Sequence, residues 1–130
     1  MSISPPTGTG LKTNKRPVSV TLLAWLYIAV GSIGFAYHLE PIFARHGFQS
    51  EDLLILLTEI VAVVAGVFIL QGENWARWLA VTWIAFHVFI SFFDSVQKIT
   101  IHFLLFMLIA YLLFQPKARR YFQHLDEIGT

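Results

Sequence analysis

The residues able to do chemistry in this chain are few, and each interrupts a stretch that is otherwise apolar. Glu59 stands inside the run 53–70, His87 inside 76–93 and His102 inside 99–115. If these runs are helices crossing a bilayer in alternate directions, Glu59 and His87 each lie six residues from one membrane face, and His102 lies three from it. At 1.5 Å per residue those depths are roughly 9, 9 and 4.5 Å. Three ionisable groups from three helices would share one leaflet. An ionised carboxylate in hydrocarbon costs about 2.5–3.5 kcal/mol on insertion scales, which predicts that Glu59 is neutral or paired. Neutral imidazole is a common ligand, and Glu can complete a set, so Glu59, His87 and His102 are candidate ligands for a metal or haem. The same groups suit a proton relay or a quinone headgroup pocket. A Glu59–His87 hydrogen bond that merely fixes packing would satisfy them equally. No HExxH or comparable pair singles out the metal reading.

Helical spacing assigns faces to these groups. Glu59, Ala62 and Gly66 fall at i, i+3 and i+7, so the carboxyl shares a face with small residues that let helices approach closely. Ala80, His87, Ser91 and Asp94 form a similar stripe on the next segment, while His102 stacks on Lys98 and Phe106. Gly31, Ser32 and Gly34 supply a close-packing surface on the first segment. His38, Glu40 and His46, read as part of a 38–52 loop, either extend the cluster or are simply solvated.

The elements that must position these groups follow from composition. Of 130 residues, 56% are hydrophobic and 13% charged, with a mean hydropathy of +0.65. A soluble domain carries about 25% charged residues. The shortfall predicts that lipid covers much of the surface. A net charge of +1 gives no basis for nucleic acid as a partner, and the absence of cysteine excludes disulfides and thiolate sites. Spans are expected at about 18–37, 53–71, 76–94 and 99–115, between a polar tail over 1–17 and an amphipathic tail over 116–130. Period-two alternation is absent, so the spans are helices rather than barrel strands. The first apolar run exceeds the 7–15 residues of a signal peptide, which predicts an anchor. Seven Lys and Arg (Lys12, Lys15, Arg16, Arg77, Lys117, Arg119, Arg120) fall on one side of such a bundle and two (Arg45, Lys98) on the other. Both termini are therefore expected in the cytoplasm.

Caps and anchors complete the reading. Ser50 is expected to cap the second helix, with Glu51 and Asp52 in its first turn, and Asn74 to cap the third. Trp75, Arg77 and Trp78 read as interfacial anchors, the arginine meeting headgroups, or else as a lipid or substrate contact. Pro116 marks a break. Beyond it Tyr121, Leu125 and Ile128 recur opposite Arg119, Arg120 and Asp126, as in a helix lying on the membrane surface, with Arg119, Arg120 and Tyr121 as further anchors. A frayed continuation of the fourth helix fits the same pattern.

Glu59, Gly66, the Leu70-Gln71-Gly72 turn, Ala76-Arg77 and Ala80 together resemble the DoxX-like group of small four-helix bacterial membrane proteins, over the middle third of the chain. That resemblance implies a membrane subunit working beside another protein, in some members coupled to quinones in sulfur oxidation. The combined expectation is an all-α, integral membrane four-helix bundle of the inner membrane. Its expected role is an accessory or structural subunit, with other membrane subunits or further copies of itself as partners. The alternatives are a redox component with an outer-leaflet quinone, haem or metal pocket, and a small transporter or proton relay.

Overall fold

The structure, a computed structural model, describes residues 15–45 and 47–128, the last five as backbone only. Among the described residues every element is a helix: α1 (Val18–Ala44), α2 (Ser50–Leu70), α3 (Asn74–Ser91), α4 (Val96–Phe114) and α5 (Pro116–Ile128). The expected tail 1–14, His46 and the side chains of Leu125, Asp126 and Ile128 lie outside the described residues.

Three of these helices, α1, α2 and α4, are long and apolar enough to cross a membrane. α3 is not among them, because Asn74, Arg77, His87 and three tryptophans dilute its apolar residues. It packs instead against both α2 and α4. α1 runs a further seven residues beyond the expected 37, through Leu39 and Glu40, and contains Pro41 near its end. A proline there removes only one late donor, and Arg45 N–H still closes on the Pro41 carbonyl at 3.1 Å.

The ends of the helices explain why the bundle is antiparallel. Gln49, not Ser50, precedes the first turn of α2, and the Asp52 carboxylate accepts its backbone N–H at 2.9 Å. Asp52 earns its place over Ser50 because it also holds Arg45 at 3.0 Å. Likewise Glu73 precedes α3, and Asn74 is its first helical residue, turned to accept from the Arg77 side chain. The turn between α2 and α3 is tight: Glu73 N–H reaches the Phe68 carbonyl, Gly72 N–H reaches Ile69, each at 3.0 Å, and Gly72 has φ 81°. This left-handed closure satisfies the last carbonyls of α2 and favours glycine. Ser95 caps α4 by accepting the Lys98 N–H. Gln115 is extended, as a residue before proline must be, and Pro116 opens α5.

At the end where α1 begins, Arg16 bonds Thr21 at 2.9 Å and the Leu70 carbonyl, and Gln115 bonds Ser19 at 2.9 Å. The start of α1 and the end of α4 are thus neighbours. The buried cluster fills this half of the bundle, from Ala118 and Phe122 through Val20, Ile69, Ala76 and Leu113 to Tyr27, Ala62, Ile84 and Ile109. The other half is more open, and α4 is the least covered of the long helices. The seam between α1 and α2 is the closest. A Cβ on Gly31 would fall 2.6 Å from the Glu59 carbonyl, and one on Gly66 2.6 Å from the Ala24 carbonyl. Only glycine allows backbones to meet at that distance.

Candidate functional site: a histidine cleft in the open half of the bundle

The residues expected to form one polar cluster fall into two sets on different helix pairs. Glu59 belongs to α1 and α2. Its carboxylate lies over Gly34, where a Cβ would come 2.5 Å from the carboxyl carbon, and Oε1 is 3.8 Å from His38 Nδ1. That nitrogen donates to the Gly34 carbonyl at 2.8 Å, while Glu59 Oε2 is buried with no hydrogen-bond partner. Beside the carboxyl, Ser32, Phe35, Ile60 and Val63 line an open groove of about 310 Å³. His38 is therefore the histidine nearest Glu59, and the expected Glu59–His87 bond is replaced by this pairing. His38 reaches it because α1 stays helical past 37.

His87, Ser91 and His102 form the second set, between α3 and α4. Trp83 lies over His87 with ring centroids 4.0 Å apart, and the two histidine rings are 6.0 Å apart. His87 Nδ1 is 3.0 Å from the Trp83 carbonyl, and His102 Nδ1 is 2.9 Å from the Lys98 carbonyl. A carbonyl oxygen only accepts, so the proton is assigned to Nδ1 in both rings. Ser91 fits that assignment. Its hydroxyl donates to the His87 carbonyl at 2.7 Å and accepts from His102 Nδ1 at 2.6 Å. Asp94, the last member of the expected stripe, leaves it: α3 stops at Ser91, and the exposed Asp94 pairs with Lys98.

Both rings line a cleft between α1, α3 and α4, together with Tyr27, Val30, Trp83 and Leu105. Two residues that sequence reasoning passed over build its floor. The buried Tyr27 hydroxyl donates to the Ala80 carbonyl at 2.8 Å, and Trp83 Nε1 donates to the Thr58 carbonyl at 2.7 Å. A signal for them existed, since Tyr27 and Trp83 sit mid-segment, away from the interfaces where their polar tips could meet water. The cleft measures about 140 Å³, well under the roughly 300–1,000 Å³ of a site for a drug-sized ligand. A single ring fits and a haem macrocycle does not. Among the described residues no three His, Asp or Glu side chains gather to hold a metal ion; the set Glu59, His87 and His102 is divided between the two sites.

At the opposite end, Arg77 departs from the expected headgroup contact. It is buried, with its guanidinium 4.9 Å from the Phe114 ring centre and 4.8 Å from that of Phe122, and it donates to the Leu113 carbonyl at 3.3 Å and to Asn74. The stem of α3 places it between α4 and α5, where aromatic faces and carbonyls replace water. Trp75 and Trp78 remain exposed beside it, as do Arg119 and Arg120, whereas Tyr121 is buried with Ala118 and Phe122. Comparison of the chain with protein-family models, curated proteins and solved structures finds no match.

Proposed function

We propose that this chain is an inner-membrane protein of four spans, with both ends in the cytoplasm. In this reading it is an accessory subunit of a membrane complex, to which it contributes a ligand cleft opening toward lipid. The four-span reading is supported by α3 packing between two helices that are long and apolar enough to cross a membrane, and by the Gln115–Ser19 bond that joins the first and fourth helices at one end. Lys15, Arg16, Lys117, Arg119 and Arg120 fall at that end, and Arg45 and Lys98 at the other, as the excess of basic residues in cytoplasmic segments requires. The cleft then opens in the outer leaflet.

The observation that carries the functional reading is the pair His87 and His102 at a ring-sized cleft whose remaining walls are apolar apart from the tips of Tyr27 and Trp83. Such a site offers recognition by hydrogen bonding to imidazole. A DoxX-like kinship would make the occupant a quinone-class head, and the redox alternative rests on the same pair. Solubilisation in mild detergent is expected to retain a stoichiometric partner protein or a second copy; a solitary monomer throughout would overturn the subunit role. A lipophilic redox molecule extracted in stoichiometric amount from the purified protein would favour the redox reading.

A further inference from the structure

The hydrogen-bond assignments of the cleft constrain its ligand further, on the reading that it is a ligand site. Every side-chain donor on its walls is already committed: His87 Nδ1 to Trp83, His102 Nδ1 to Lys98 and Ser91, Trp83 Nε1 to Thr58, and the Tyr27 hydroxyl to Ala80. Backbone N–H groups within the helices are spent on their own turns. The groups left are acceptors: the two Nε2 lone pairs, for which no partner exists among the described residues, and the Tyr27 oxygen.

We infer that the cleft selects a membrane-soluble molecule whose ring-sized head donates hydrogen bonds, an alcohol or phenol, over one whose head only accepts. The volume sets the size of that head. A cavity of roughly 150 Å³ with apolar walls holds one benzene ring, and this cleft is about 140 Å³. The position sets its solubility, because Leu26, Val30 and Leu105 at the mouth offer only apolar contact to whatever tail follows. An acceptor-only head, the oxidised form of a quinone included, would place its oxygen against imidazole lone pairs and lose water without a replacement, whereas the reduced form carries the hydroxyl donors the cleft requires.

The test compares 4-heptylphenol with its methyl ether, which keeps the ring, tail and oxygen but has no donor. Binding to the full chain in lipid nanodiscs is measured by tryptophan fluorescence, with empty nanodiscs subtracted. The phenol is expected to bind at least about tenfold more tightly, equivalent to about 1.4 kcal/mol. Replacing His102→Phe is expected to erase most of that preference while leaving ether binding in place. Equal, saturable binding of both probes would overturn donor selection but leave the cleft as a site. Failure of both probes to saturate would overturn the cleft reading as well.

Discussion

A single methyl group decides whether α1 and α2 can meet. On Gly31 it would strike the Glu59 carbonyl and Val63, whereas on Gly47, in the following connection, the nearest atom is 3.9 Å away. Gly31→Ala is therefore expected to lose about 1–3 kcal/mol by forcing the two backbones apart, and Gly47→Ala to stay near neutral. Thermal denaturation in one detergent measures both, and equal effects would contradict the close seam. The same seam explains the position of Glu59. Its place along α2 was legible in the sequence, because helical rise converts residue number into distance along the axis. Its neighbour was not, since azimuth around the helix depends on which helices flank α2, and Gly34 creates the space that the carboxyl occupies. The histidines obey the same logic: His87 and His102 meet because α3 and α4 are adjacent and antiparallel, and Ser91 bridges them.

At the scale of elements, four of the five helices could be read from apolar runs, while their ends obeyed local chemistry that the runs do not encode. Ser50 and Asn74 have the residue types of caps, yet each falls one position inside its helix, because Asp52 and Arg77 offer stronger partners just beyond. Pro116 correctly marks a break, and α5 is a separate helix rather than a frayed end of α4. Its inward residues are Ala118, Tyr121 and Phe122, and the last is completely buried against the Arg77 guanidinium. Phe122→Ala is expected to cost about 3–5 kcal/mol where the site cannot collapse, and to release α5 before the bundle melts. Limited trypsin digestion reads this as faster cleavage at Lys117, Arg119 and Arg120. Unchanged cleavage would show that α5 is held by something other than this contact.

Taken whole, the molecule is packed at one end and open at the other. Buried side chains concentrate where α1 starts and α4 ends, while the cleft and the Glu59 groove occupy the remaining half. This asymmetry suits the proposed role, in which the helices are held together at one membrane face and a ligand enters toward the other. Long stretches of Phe, Leu, Ile and Val on α1, α2 and α4 face outward, a surface that hydrocarbon covers without cost and water does not. The least apolar of the four long helices, α3, is also the one that brings His87, Trp83 and Arg77 into the bundle, so whether it crosses the bilayer decides where those residues act. The chain has no cysteine, which allows single Cys substitutions to be labelled without background. Gln71→Cys and Ser95→Cys flank α3, and Phe48→Cys marks the connection between α1 and α2. In intact cells a membrane-impermeant maleimide is expected to label positions 48 and 95 but not 71. Labelling of 71 and 95 from the same side would contradict the account, because α3 would not span the membrane.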